Sequence, residues 1–177
     1  MKQPRHVMID LETMSTKQDA AIVSIGAVKF DPRFGILDTK DTFYQELDWK
    51  NQGRRICPET KKWWSQQSKQ AKAALKGTIN LEDALWDLEA WLPDDCRVWG
   101  NGSIFDISIL ENAYDQLEEP NPWKFWNVRD CRTIKDLYES LRGGFDAKVG
   151  GVVHNALDDA IHQAKYINYM WAKIGGK

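Results

Sequence analysis

Cysteine, net charge and long apolar runs are all scarce in this chain. Its three cysteines, Cys57, Cys96 and Cys131, are odd in number and show no C-x-x-C spacing. That argues against a disulfide framework and against a zinc ribbon. Free thiols suit a reducing compartment, so a cytoplasmic location is expected. The formal net charge is only −2. A strongly basic protein binds polyanions indiscriminately through its overall field. Here any such binding must come from a local patch or from bound metal. No apolar stretch approaches the ~20 residues of a membrane span. The opening stretch MKQPRHVMIDLET holds no apolar segment of a secretory leader. No membrane partner is expected, and no internal repeat or low-complexity tract is visible.

What remains is ordinary globular material, 42% hydrophobic and 28% charged over 177 residues. That length suggests one domain, residues 1–177, with a sizeable core. The nine tryptophans are read first as packing residues. Hydrophobic patterning predicts a strand at HVMIDLE and a second, largely buried one at AAIVSIGAVKF. A turn at DPRFG leads to a third strand at DTFYQEL. Short connections make these an antiparallel meander. A helix is expected from Pro58, and another over LEDALWDLEAWL, with Leu81, Leu85, Leu88 and Leu92 as its stripe. A short strand at CRVWG precedes a helix at SIFDISILENAYDQL, then a place left open for one further strand, then helices at TIKDLYESL and HNALDDAIHQAKYINYMWAKI. In the last of these, Leu157, Ile161, Ala164, Asn168 and Trp171 form the expected apolar stripe. The glycine-rich RGGFDAKVGGVV before it reads as a loop. The class is therefore α/β, a mixed sheet flanked by helices.

Three acidic motifs stand out. In IDLET, the period of two puts Asp10 and Glu12 on one face of a strand. Paired carboxylates in an apolar strand are costly unless compensated. A hard divalent cation such as Mg²⁺ or Mn²⁺ compensates them well. In NGSIFDISIL, Ser103 to Asp106 matches a capping box. Asp106 can instead point from a helix start into a cleft. In HNALDDA, the acids Asp158 and Asp159 sit in a first helical turn, where they complement the helix dipole. Periodicity does not choose between them. Taken together, four carboxylates and the His154 imidazole could hold two metal ions and a general base.

This ordered set resembles the DEDDh branch of the 3′→5′ exonucleases, which includes RNase T, oligoribonuclease and the proofreading subunit of bacterial DNA polymerase III. The family's D-x-E-T motif matches Asp10 to Thr13. Its second motif carries over to Asp106. Its His-x4-Asp motif selects His154 and Asp159. DLETMSTKQDAAIVSIGAV, the pair Trp63–Trp64 and KFWNVRDCRT further resemble the small stand-alone subgroup of mycobacterial-type exoribonucleases and bacteriophage exonuclease A. The resemblance implies a ribonuclease H-like fold whose central mixed sheet carries an antiparallel three-strand meander flanked by helices. It implies metal-dependent hydrolysis of RNA or DNA from the 3′ end, to nucleoside 5′-monophosphates. The implied ligands of two Mg²⁺ or Mn²⁺ ions are Asp10, Glu12, Asp106 and Asp159, with His154 activating water. Thr13, Met14, Phe105 and Trp64 become substrate-binding candidates, for a single strand or a 3′ overhang. Arg129, Arg132 and Lys135 are candidates for a local basic patch. Dimeric relatives imply a homodimer. Alternatives within the fold are an endonuclease and a non-catalytic nucleic-acid binding module.

Overall fold

The computed structural model describes residues 4–144 and 153–175. Its strands are β1 (His6–Thr13), β2 (Ile22–Asp31), β3 (Ile36–Glu46), β4 (Arg97–Gly100) and β5 (Arg129–Asp130). Its α-helices are α1 (Pro58–Ser65), α2 (Leu81–Trp91), α3 (Asp106–Gln116), α4 (Cys131–Arg142) and α5 (Ala156–Ile174). The strands form one five-stranded sheet in the order β3-β2-β1-β4-β5. The β1–β2 and β2–β3 pairs are antiparallel, the expected meander. The β1–β4 and β4–β5 pairs are parallel, each reached through helical crossovers.

Strand β1 lies in the middle of the sheet, which explains its nearly continuous burial. Its odd-numbered residues Val7, Ile9 and Leu11 pack with Leu85 and Leu88 of α2 and with Leu110 and Tyr114 of α3. Met8 faces the other way, with Val28, Phe30 and Trp99, under Tyr138 of α4 and Ala160, Ala164, Ile167 and Met170 of α5. The alternation continues along the strand, so Asp10 and Glu12 emerge on the α4–α5 side.

Helix α5 sits unusually close to the sheet. A Cβ on Gly26 of β2 would lie 2.2 Å from the backbone of Ala156 and Leu157. The buried stripe of α5 is accordingly Ala156, Ala160, Gln163, Ala164, Ile167 and Met170. The expected stripe of Leu157, Ile161, Ala164, Asn168 and Trp171 is corrected, because only Ala164 of that set is buried. Residue size decided the face here. Small side chains let the helix backbone reach the sheet, and the larger apolar ones flank the contact.

The capping box at Ser103 is corrected as well. Phe105 is the N-cap of α3, and its own side chain makes no capping hydrogen bond. The Ser103 N–H donates to Asp130 Oδ2 at 2.6 Å. The Asp106 carboxylate turns toward β1, where its Oδ1 accepts the Leu11 N–H at 3.1 Å. Most of the glycine-rich RGGFDAKVGGVV stretch lies outside the described residues.

Candidate active site

The C-terminal half of β1, the start of α3 and the start of α5 meet at a cleft of about 740 Å³. Asp10, Glu12, Asp106, His154 and Asp159 all line it. Each arrives by a different local device. Asp10 and Glu12 come from strand periodicity. Asp106 is the first residue of α3 and is tied to β1 through Leu11. Asn155 caps α5, its side chain accepting the N–H groups of Leu157 and Asp158. Its Nδ2 donates to the Tyr44 hydroxyl at 3.1 Å, and Tyr44 donates to Glu46 Oε1 at 2.8 Å. The start of α5 is thereby pinned to β3. His154 stands just before this cap, outside the helix. Its φ of +64° is uncommon for a residue with a Cβ. Its backbone N–H donates to Asp159 Oδ2 at 3.1 Å, which helps hold that conformation. One ligand atom from each of Glu12, His154 and Asp159 lies within 4.8 Å of the others.

The cluster is short of positive charge. Burial, then the neighbouring Asp159 and Asp106, push the Glu12 carboxyl up to about 8. Burial pushes Asp106 up to about 7, against the pull of backbone N–H donors, Leu11's first, and of Arg132. Asp10 is raised well above the usual carboxylate range by burial, Asp106 and Glu12. Asp159 is raised by burial, partly offset by the His154 N–H. In the described protein only Arg132 and Lys135 bring cationic side chains to the walls of this cleft, apart from its histidines. Such a set of hard oxygen donors calls for divalent cations.

Residues 5–171 match the family model described as the 3′-5′ exoribonuclease Rv2179c-like domain. The chain belongs to that family. It is a 3′→5′ exonuclease domain with the ribonuclease H-like fold. It is similar to the exodeoxyribonuclease of Enterobacteria phage T4, at 27% identity over 92% of this chain and 87% of the phage protein. Among solved structures it is similar to S. pombe Pop2p in its Mg²⁺- and Mn²⁺-bound form. There the TM-score is 0.67 and the identity 15%, over 96% of this chain and 84% of Pop2p. It is also similar to the nuclease domain of 3′hExo, a DEDDh family member bound to rAMP. That match has TM-score 0.57 and 17% identity, over 97% of this chain and 92% of that domain.

In this exonuclease domain a second cavity of about 410 Å³ adjoins the acidic cleft. Phe105 lines both cavities and stands at their junction. Thr13 lines the second, its hydroxyl donating to the Ser15 carbonyl at 2.7 Å. Met14 and Trp64 are corrected as substrate-binding candidates, because each is only 1% exposed. They pack together with Ala21, Val23 and Trp49, and the Trp64 indole N–H donates to the Thr13 carbonyl at 2.9 Å. Adjacent residues of a helix point about 100° apart, so only one of the pair can enter this core. Trp63 is the one left at the surface. It lines the second cavity, and its ring stands edge-on to the His154 ring at 4.7 Å. The basic patch splits across α4. Arg132 and Lys135 face the cleft, while Arg129 lines a separate hollow.

Gln163 was not anticipated from the sequence. Its Nε2 donates to Asp10 Oδ1 at 2.6 Å, and its buried Oε1 has no partner among the described residues. A signal was present. Gln163 stands four residues after Asp159, on the same helix face, where a polar residue inside the helix stripe is unusual.

Proposed function

We propose that this domain removes nucleotides one at a time from the 3′ end of single-stranded or overhanging RNA or DNA, releasing nucleoside 5′-monophosphates. The observation that carries the proposal is the convergence of Asp10, Glu12, Asp106 and Asp159 with His154 on one cleft, from three separate elements. The donor set fits two Mg²⁺ or Mn²⁺ ions. Burial and the neighbouring carboxylates push Asp10 and Glu12 toward protonation, and the buried Gln163 Oε1 beside Asp10 has no partner among the described residues. Asp10, Glu12, Asp106 and Asp159 would hold the ions. Bound there, such ions acidify a water and neutralise charge on the phosphorus and the leaving 3′ oxygen. His154 takes the proton of the attacking water. Arg132 and Lys135 draw the phosphate into the cleft, and Phe105 offers a ring face against which a terminal base can stack. Gln163 fixes the rotamer of Asp10. The Pop2p and 3′hExo structures, with Mg²⁺, Mn²⁺ or rAMP bound, support this assignment by fold. A homodimer acting in the cytoplasm completes the proposal.

The test is Mn²⁺-supported digestion of matched, end-labelled RNA and DNA strands, with and without a complement. A ladder shortening from the 3′ end is expected, stalled by a 3′-phosphate block. Wild-type turnover by Asp10→Ala protein would overturn the site. His154→Ala should lose about 10²–10⁴-fold in kcat, the usual scale of general-base catalysis.

A further inference from the structure

Behind α4 lies a separate hollow, of about 320 Å³. His6, Arg33, Arg97, Arg129, Trp99 and Trp171 line it. It continues into a neighbouring hollow of about 510 Å³, with which it shares Arg33 and Trp171 and which reaches the exposed Phe34. The arginines are unequally compensated. Arg33 is paired with Asp31 at 2.6 Å. Arg129 donates to the neutral carbonyls of Trp126 and Val128, which fix its guanidinium and leave its charge. The Arg97 side chain has no partner among the described residues. His6 is 4% exposed, and its Nδ1 accepts the Trp99 indole N–H at 3.0 Å. The neutral ring therefore carries its proton on Nε2, a further donor. Burial holds the imidazole at about 4, and the charges of Arg97, Arg33 and Arg129 all act on it in that direction against Asp31. With Arg33 held by Asp31, the Arg97 and Arg129 guanidiniums line the hollow beside one neutral donor with no carboxylate paired to them among the described residues, an arrangement that suits an anion.

We propose that this hollow is a second phosphate site, taking a nucleotide whose phosphate meets Arg97 and Arg129 and whose base lies against Trp171. Guanidinium groups suit phosphate oxygens, and an aromatic face suits any base. Two sources offer that chemistry: a backbone phosphate of the substrate strand upstream of its 3′ end, or the 5′-phosphate of a free nucleotide. The position accommodates the first. His6 precedes Asp10 by four strand residues, about 13 Å along β1. The N-terminal part of α4 divides the two sites, with Arg132 and Lys135 on the cleft side and Ile134 on the other. A strand leaving the cleft across this end of α4 meets Arg129 and then Arg97.

Binding is measured in Asp10→Asn protein, so that nothing is consumed, using AMP and single strands from a dinucleotide to a long oligomer. Arg97→Glu is compared with its parent. If the strand supplies the phosphate, the substitution weakens long strands about tenfold and lowers the salt slope by about one. It then spares the dinucleotide, and in otherwise wild-type enzyme it raises KM for long strands with kcat unchanged. If a free nucleotide supplies it, AMP fills two sites in the parent and one in the Arg97→Glu protein, while long-strand affinity is unaltered. Either result supports the site. Unchanged affinity for AMP and for strands of every length, in a protein of parental Tm, overturns it. Should Arg97→Glu not fold, Arg97→Gln carries the same comparison with smaller effects. The strand arm rests on the exonuclease assignment. Failure of that assignment shows as no degradation by wild-type enzyme, whereas failure of this site shows as no effect of Arg97 on binding.

Discussion

Asp158 and Asp159 are chemically identical neighbours in the first turn of α5, and the helix separates them. Asp159 lines the acidic cleft and accepts the His154 N–H, whereas Asp158 is turned by about 100° and its backbone N–H is held by the Asn155 cap. Asp159→Asn should therefore lower kcat by about a hundredfold or more. Asp158→Asn should stay within about twofold, a surface-sized effect. Equal losses in a steady-state assay would mean that the register of the third motif is misassigned. The tryptophan pair obeys the same geometry. Trp64→Ala opens a buried cavity and should cost about 3–5 kcal/mol of stability in a denaturant titration. Trp63→Ala should cost much less stability and should act on turnover, by freeing the His154 ring it stands against. Neither assignment was available from the dipeptide alone, because adjacent tryptophans are equivalent until a core is placed on one side of them.

At the scale of elements, the seat of α5 on β2 positions the third motif. Gly26 lets the backbone of Ala156 and Leu157 approach to a distance that no side chain permits. Gly26→Ala should push the first turn of α5 off the sheet, costing about 1–3 kcal/mol. It should also cut kcat sharply, because the Asn155 cap, His154 and Asp159 move together. A Tm scan paired with a single-turnover assay checks both. Retained activity with lowered Tm would show that the helix start adapts locally. The alternation of β1 was legible in HVMIDLE, since a period of two needs only the strand. The face of α5 was not, because Leu157 and Ile161 are more hydrophobic than Ala156 and Ala160 yet too large for the contact. The Ser103 capping box failed for a related reason. Asp130, on β5, supplies the acceptor for the Ser103 N–H, and β1 supplies the donor for Asp106.

Across the whole molecule, folding brings four carboxylates together and buries them beside one another. Glu12 moves from an ordinary 4.5 to about 8, and Asp106 from 3.8 to about 7, with Asp10 and Asp159 shifted the same way. Between the unfolded and folded values the native state holds more protons than the unfolded chain. Stability is therefore full below the unfolded values and falls as pH rises through the folded ones. The metal-free protein should have a Tm higher at about pH 5 than at about pH 8.5, by roughly 5 °C or more. Saturating Mg²⁺ or Mn²⁺ should raise Tm most at the alkaline end, because the ligands are then already ionised. Asp10→Asn should raise the metal-free Tm at alkaline pH and remove most of the gain from metal. A metal-free Tm that climbs with pH would contradict the burial assigned to these acids.

By itself the sequence determined the α/β class, the antiparallel meander and the order of the main strands and helices, because these rest on local periodicity, and the spacing of its motifs, read through the family resemblance, pointed to Asp10, Glu12, Asp106, His154 and Asp159. The tertiary structure alone decided which of the two adjacent tryptophans faces the site, which face of α5 meets the sheet, and where the basic residues go. It sent Trp64 and Met14 inward, left Trp63 beside His154, set Gln163 against Asp10 and put Arg129 on the far side of α4 from Arg132. These choices depend on packing volume and on hydrogen-bond partners far apart in the chain, such as Asp130 for Ser103 and Leu11 for Asp106, and no local pattern encodes them.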